Sequence, residues 1–219
     1  MSKAKRRRPQ PPAPPRRDLV ILAADKDTAQ TIEGLLSRSA SLQIRAVTSD
    51  IIVHPQHDPG CLGQSPGILA VYLKTHSYAL VVFDREGCGQ EKNSRASLEA
   101  DVQAQLSTTG WQDRSAAIVI DPELERWVWS QSPHVSTILG WRDTTKSVRQ
   151  WLVEEEFLEE ESQLKPDRPK EAMVAVLRHV RKPRSSAIYR ELAEKVSLTS
   201  CEDASFLKFR ETLQGWFRR

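Results

Sequence analysis

YALVVFDREGCG, residues 78–89, is the stretch that decides the fold. Residues 78–83 form a nearly continuous apolar run rich in β-branched and aromatic side chains, which is the composition of a strand buried on both faces of a parallel sheet. The run ends at Asp84 and Glu86, and in extended backbone their i, i+2 spacing points both side chains to the same side. Two glycines follow and favour a tight turn. The stretch therefore predicts a central strand with two carboxylates at its carboxyl end.

On both sides of this strand, apolar runs alternate with stretches of helical spacing. Residues 44–54 allow two interpretations, which are one long strand or two short strands divided at Ser49 and Asp50. The alternation predicts an α/β fold with right-handed crossovers and a mostly parallel sheet of about four strands flanked by helices. The predicted strands lie at residues 18–24, 44–54, 78–83 and 116–120, and the predicted helices at residues 28–38, 68–73 and 94–106.

Composition divides the chain into a basic arm at residues 1–17, an α/β domain at residues 18–145 and a helical C-terminal region at residues 146–219. We expect the last region to form a small appendage, because apolar residues recur along it at helical spacing. Its residues 165–219 contain thirteen Lys or Arg against seven acids. They would pair either with the acidic block at residues 154–161 or with an external polyanion.

The arm holds five of the thirteen prolines and seven cationic residues without any acid, so the formal net charge of +3 conceals a mildly acidic remainder. We expect the arm to be disordered, since it lacks the apolar residues needed to bury surface. It is either a solubilising tail or a sequence-independent grip on phosphates. The candidate nucleic-acid-binding residues are Arg6, Arg7, Arg8, Arg16 and Arg17.

Acidic side chains follow three of the four predicted strands. In a parallel sheet these acids converge on the carboxyl edge, where open α/β sheets bind their ligands. Carboxylates that converge without Lys or Arg among them repel one another unless a cation lies between them, and Mg²⁺ or Mn²⁺ accepts such oxygen ligands. One or two such metals can assist an in-line phosphoryl displacement. The candidate catalytic residues are Asp25, Asp27, Asp84 and Glu86, and the candidate metal ligands are Asp84, Glu86, Asp121 and Glu123.

Helix capping is the alternative explanation for two of these acidic sets. Asp121 begins a D-P-E sequence, which is the signature of a helix start, and the helix carrying Trp127 and Trp129 would begin there. The acids after the first strand also precede a predicted helix. Asp84 and Glu86 precede a Gly-rich turn instead and have no helix to cap, so they are the strongest candidates for a functional role.

Four motifs together resemble the TOPRIM fold shared by topoisomerases, primases and overcoming-lysogenisation-defect nucleases. More closely, they are similar to a family of small TOPRIM-like proteins of bacterial methylation-associated phage-defence systems. The resemblance covers about residues 18–141. The motifs are LAADKDT at residues 22–28, IIVHPQHDPGC at 51–61, LVVFDREGCG at 80–89 and VIDPELERWVWSQSPHV at 119–135.

The resemblance implies a magnesium-dependent, nuclease-type site that acts on nucleic acid, together with other defence proteins as partners. In the TOPRIM pattern the first strand ends in a Glu that acts as general base or acid, whereas this chain offers Asp25 and Asp27. The family's D-x-D becomes Asp84 and Glu86. The shorter carboxylate moves the oxygen of the general base by about one methylene group. A non-catalytic assembly or regulatory subunit that keeps the fold is therefore the alternative function.

Three further features allow a functional and a structural interpretation. HPQHDPGC at residues 54–61 offers His54, His57, Asp58 and Cys61 as zinc ligands, but the spacing matches no common zinc motif and we expect a polar loop without metal. Three tryptophans, Trp127, Trp129 and Trp141, could stack on bases, although core packing is the expected role. Helical patterns at 188–196 and 206–216 invite a helix-turn-helix interpretation, which their long separation disfavours.

The three cysteines include no C-x-x-C pair, and no apolar signal segment is present, so we expect a cytoplasmic protein. No apolar run approaches the roughly 18 residues that a membrane span requires, and we expect no membrane partner. The expected partners are nucleic acid and other proteins of a defence system.

Overall fold

The computed structural model describes residues 16–198 and 201–219, and it shows an α/β fold with an all-parallel sheet of four strands in the order β2-β1-β3-β4. The predicted fold class is thus confirmed. The strands are β1 Arg17–Ala23, β2 Ser49–Val53, β3 His76–Asp84 and β4 Ser115–Ile120. The helices are α1 Lys26–Leu36, α2 Ser39–Leu42, α3 His57–Leu69, α4 Arg95–Thr108, α5 Glu125–Val128, α6 Pro133–Leu139, α7 Val148–Glu154, α8 Pro169–His179, α9 Ser186–Lys195 and α10 Ala204–Trp216.

Strand β3 is central, as predicted, because it pairs with β1 on one side and β4 on the other. Its residue Val82 lies opposite Ala23 of β1 and Ile118 of β4. This register brings the ends of β1, β3 and β4 to one edge of the sheet. The acidic residues that follow these three strands therefore start from the same edge.

The sheet separates two apolar clusters, because alternate side chains of each strand point to opposite faces. Helices α3 and α4 cover one face, where Val81 and Phe83 are fully buried. Helix α1 covers the other face together with helices of the C-terminal region, where Leu80 and Val82 are fully buried. Each such side chain contributes about 1.5–3 kcal/mol relative to an exposed one.

The helical C-terminal region packs directly on the sheet and shares one apolar cluster with it. Met173 of α8, Tyr189 of α9 and Phe209 of α10 are fully buried in that cluster. Helix α9 lies against α1, and Arg38 after α1 donates to the carbonyl oxygens of Ala193 and Val196 at 2.9 and 2.7 Å. The segment between α8 and α9 reaches the carboxyl edge of the sheet, where Arg184 pairs with Asp27.

Residues 44–54 form only one short strand, so the prediction of a long strand or of two strands was wrong. The strand β2 begins at Ser49, whereas Ile44 makes an isolated antiparallel bridge with Arg218 near the C-terminus. The bridge includes a hydrogen bond of 3.0 Å from the backbone of Arg45 to that of Phe217. Ile44 is buried in the core without belonging to a strand of the sheet. A β-branched composition alone therefore does not determine strand pairing.

The prediction of a loop at residues 54–61 was also wrong, because α3 begins at His57. Pro59 lies in the first turn of α3, where the missing N–H has no intrahelical partner to lose. Asp58 lies in the same turn, where the helix dipole favours a carboxylate. The prolines that signalled a loop thus mark a helix start.

Two further boundaries differ from the sequence expectation. Helix α5 begins at Glu125 and has no side-chain cap, so Asp121 does not cap it. Arg17 belongs to β1 rather than to the arm, and its guanidinium donates to the backbone of Ser49 and pairs with Asp50 at 3.2 Å. Over the part of the chain that the structure describes, no helix combines the length and apolar character needed to cross a membrane.

Candidate functional site

The carboxyl edge of the sheet carries the candidate site, and Asp25 is its first acid. Asp25 follows β1 and caps α1, since its Oδ1 accepts a hydrogen bond of 2.7 Å from the backbone N–H of Thr28. The capping explanation is therefore correct for Asp25. A carboxylate has a second oxygen, so capping one amide leaves Asp25 able to bind another group.

Asp84, the last residue of β3, is at the centre of the site. It is half-buried, and its Oδ1 is a buried atom without a hydrogen-bond partner among residues 16–198 and 201–219. The backbone N–H of Asp84 donates to Oδ1 of Asp58 at 2.8 Å. The first turn of α3 thus brings a second carboxylate to the end of the central strand.

Burial and neighbouring acids together favour the protonated form of Asp84. Burial raises the pKa of Asp84 well above its usual value, and the charges of Asp58, Glu125 and Asp25 raise it further against an opposing backbone hydrogen bond from Leu124. Burial also raises the pKa of Asp58, with a smaller contribution from Asp25. Such carboxylates share either protons or a cation, and perturbed groups of this kind concentrate at functional sites.

Asp27 and Glu125 lie at the same edge and share Arg184, which precedes α9, as a cationic partner. The Nη2 atom of Arg184 lies 2.8 Å from Oδ2 of Asp27 and 3.4 Å from Oε1 of Glu125. The hydroxyl of Tyr189 donates to the same Glu125 oxygen at 2.6 Å. The expectation that no Lys or Arg lies among the converging acids was therefore wrong.

The predicted metal ligands after β4 also have cationic partners. Glu123 is buried and accepts from Nζ of Lys170 at 3.1 Å and from the backbone N–H of Lys170 at 3.0 Å. Asp121 pairs with Nε of Arg85 at 2.8 Å. These two carboxylates are therefore held by α8 and by the turn after β3.

Glu86 lies beyond the end of β3, in an exposed turn, so the extended spacing expected between Asp84 and Glu86 does not hold. Its backbone N–H donates to the carbonyl oxygen of Pro122 at 3.0 Å. Gly87 and Gly89 adopt φ values of 86° and 83°, which confirms the tight turn. Their N–H groups donate to Oε1 of Glu91 at 3.1 and 2.9 Å.

The histidines and cysteine of residues 54–61 do not converge on one point. His54 is fully buried, and its Nδ1 accepts from the backbone N–H of Gln56 at 3.0 Å. Cys61 is packed in the apolar cluster under α3, and burial raises the pKa of its thiol strongly. Among the described residues no group of three or more His, Cys, Asp or Glu side chains is arranged so as to hold a metal ion.

The predicted nucleic-acid contacts are divided between the arm and the folded part. Arg6, Arg7 and Arg8 lie outside the described residues. Arg16 and Arg17 lie at the amino edge, where Nε of Arg16 donates to the carbonyl oxygen of Lys74 at 3.2 Å. Two of the three tryptophans are buried, at 5% exposure for Trp127 and 2% for Trp129, so their expected core role is confirmed.

The sequence predicted that Asp25 and Asp84 lie together, but it indicated Asp58 only as a candidate zinc ligand and gave no sign of Arg184 or Tyr189. The carboxylate of Asp58 was visible in the motif at residues 51–61, where a helix start would have placed it at the sheet edge. The C-terminal partners gave no local signal, since Arg184 lies 157 residues from Asp27 in the chain.

Comparisons with protein-family models, with curated proteins and with solved structures return no match. The TOPRIM-like resemblance therefore stays a prediction that rests on the motifs quoted above.

Proposed function

We propose that this protein is a nuclease-type phosphoryl-transfer enzyme that uses Mg²⁺ or Mn²⁺ at the carboxyl edge of its sheet and acts on nucleic acid in antiphage defence. The observation that carries the metal site is the buried, unpartnered Oδ1 of Asp84 among the carboxylates of Asp58, Asp25 and Glu125. The defence role is supported by the motif resemblance alone.

The chemistry of the acids around Asp84 supports the choice of a hard divalent cation, which prefers oxygen ligands. In this proposal Asp84, Asp58 and Asp25 would offer oxygen ligands, and a cation beside them would offset the charges that add to the effect of burial on the pKa of Asp84. Mg²⁺ commonly binds one or two carboxylates and completes its shell with water and substrate phosphate, so a preformed set of three protein ligands is not required. When bound, the cation supplies Lewis-acid polarisation of a phosphoryl oxygen.

The protein's own residues have separate tasks in this proposal. Asp25 lies at the general-base position of the motif and retains an oxygen beside its capping bond. Arg184 is 38% exposed and is oriented by Asp27 and Glu125, so its remaining N–H groups can bind an incoming phosphate. The position of Arg184 beside these carboxylates supports a site for a phosphate next to a metal ion.

A cleavage assay tests the proposal directly. Single-stranded and supercoiled DNA are incubated with parent protein, with Asp84→Asn, and with Asp113→Asn, which removes an exposed acid just before β4 at the opposite edge. We expect Mg²⁺- or Mn²⁺-dependent cleavage by the parent and by Asp113→Asn, and none by Asp84→Asn. Equal cleavage by all three proteins would contradict the assigned site.

A non-catalytic assembly subunit is the second candidate, and a specific observation favours it. Arg184 pairs with Asp27 and Glu125, and Lys170 pairs with Glu123, so the C-terminal region supplies internal counterions to the edge. In that case the parent should co-purify stably with other proteins of its system and show no cleavage with either metal.

A further inference from the structure

A second polar cleft lies between the C-terminal ends of α6 and α8, outside the carboxylate cluster. Its volume is about 810 Å³, which is sufficient for a nucleotide. Residues 140–143 after α6, His179 at the end of α8 and residues 180–183 after α8 contribute to its wall. None of these residues is used by the proposed metal site.

The cleft carries unpaired positive charge. Arg142 and Arg181 are exposed, and over residues 16–198 and 201–219 neither guanidinium has an ion pair or a hydrogen-bond acceptor. The acid of the cleft, Asp143, has its Oδ1 occupied by the backbone N–H and the hydroxyl of Thr145, both at 2.7 Å. The ammonium group of Lys182 has a structural partner, since its Nζ donates a hydrogen bond of 2.5 Å to the carbonyl oxygen of Ile138. Two arginines therefore remain without a structural partner.

An aromatic surface lies beside these arginines. The rings of Trp141 and His179 stack with centroids 5.0 Å apart and planes 17° apart. Trp151 packs against His179 at 4.8 Å, and the indole N–H of Trp141 donates to the carbonyl oxygen of Lys146 at 2.8 Å. His179 is exposed although both tryptophans contact its ring, so part of the ring is accessible to a flat, unsaturated ligand.

We infer that this cleft binds a segment of single-stranded nucleic acid, with phosphates at Arg142 and Arg181 and a base stacked on His179. Arginine provides planar donor pairs for phosphate, and aromatic faces bind bases irrespective of sequence once these are unstacked from a duplex. The inference deepens the proposed function, because it names the form of the substrate. Arg181 is three residues from Arg184, at most about 10 Å of chain, so a bound strand would lie close to the carboxylate cluster.

Fluorescence anisotropy of a labelled oligothymidylate, measured in EDTA over about 50–200 mM salt, tests the cleft without metal chemistry. The double variant Arg142→Gln/Arg181→Gln is compared with Lys74→Gln/Lys195→Gln, which removes two exposed cations elsewhere. Because each phosphate contact on a single strand contributes about 0.7 to the logarithmic salt slope, the first variant should lower the slope by about 1.4. The control should bind as the parent does.

The stacking contact has its own test. His179→Ala should weaken binding about fivefold or more, whereas His179→Phe should bind within about twofold of the parent, because a ring is retained. Thermal melting of each variant verifies that it is folded.

Several results would overturn the inference. They are no binding by the parent, equal salt slopes for both double variants, equal affinity for duplex DNA, or displacement of the oligonucleotide by an equal concentration of oligoglutamate, which would indicate an acidic protein partner. Binding lost in the arginine variant while Asp84→Asn still binds in EDTA supports the cleft. Such a result is independent of whether the metal site cleaves anything.

Discussion

Replacing Tyr189 by Phe tests the claim that α9 holds the carboxyl edge of the sheet. Tyr189 is fully buried and Glu125 is 1% exposed, and the hydroxyl-to-carboxylate distance is 2.6 Å. Burial, followed by the charge of Glu125, raises the pKa of Tyr189 strongly, so the hydroxyl remains a donor across the ordinary pH range. The substitution therefore removes one hydrogen bond to a buried acid and leaves the ring in place.

Loss of a hydrogen bond to a charged acceptor costs about 1.5–3 kcal/mol. Since Arg184 remains 3.4 Å from the same Glu125 oxygen, we expect the lower part of this range, about 2 kcal/mol. For a chain of this size that corresponds to a melting temperature roughly 4–8 °C lower. Urea unfolding at neutral pH without metal measures the free energy directly.

Tyr72→Phe is the matched control, because the hydroxyl of half-buried Tyr72 has no hydrogen-bond partner among the described residues. It should change the free energy of unfolding by less than about 0.5 kcal/mol. A Tyr189→Phe protein as stable as the Tyr72→Phe control would refute the argument. A double-mutant cycle that combines Tyr189→Phe with Glu125→Gln and shows no coupling energy between the two positions would also refute it.

Three further predictions concern charge, packing and the arm. Because the folded-state pKa of Asp84 is raised, its proton is lost on unfolding, and stability should fall as pH rises from about 3.8 through the raised value. Asp84→Asn has no proton to lose at this position. The free energy of unfolding of the variant should therefore rise relative to that of the parent by about 1.4 kcal/mol per pH unit between these two pKa values, as measured by unfolding at successive pH values. Gly60→Ala should destabilise by about 1–3 kcal/mol, since a Cβ there meets the ring of His54 at 2.1 Å, whereas Gly63→Ala in the same helix meets nothing within 4 Å and should stabilise by about 0.4–1 kcal/mol. Deleting residues 1–15 should flatten the salt dependence of nucleic-acid binding if the arm contacts phosphates, and an unchanged slope would exclude the arm.

The parallel sheet was predictable because the local sequence of its buried strands is sufficient to identify them. The apolar run before Asp84 and the β-branched run at residues 116–120 are buried on both faces of the sheet, so their composition alone identifies them. The prediction of a strand at residues 44–48 was wrong because the partner of this segment is distant in the chain. The backbone of Ile44 and Arg45 pairs with the C-terminal segment at Phe217 and Arg218, and no local sequence pattern can indicate this pairing.

Of the candidate site, only the position of its acidic residues at the sheet edge was predictable from the sequence. Parallel strands must end at one edge, so the meeting of Asp25 and Asp84 follows from topology. The pairing of Asp27 and Glu125 with Arg184 could not be predicted, since Arg184 reaches the edge only through the packing of α9 on α1. Local charge patterns report spacing along the chain, whereas these ion pairs depend on the complete fold.

The most direct test of the account is thermal melting of the parent, Asp84→Asn, Asp84→Ala and the control Asp113→Asn, each with and without Mg²⁺ or Mn²⁺. A metal at one hundred times its dissociation constant stabilises the folded state by about 2.7 kcal/mol, which corresponds to roughly 5–11 °C for this chain length. We predict that the parent and Asp113→Asn gain this stability, and that Asp84→Asn melts at or above the metal-free parent and gains nothing from either metal. A parent whose melting temperature is indifferent to both metals, or an Asp84→Asn protein that gains as much as the parent, would contradict the metal site.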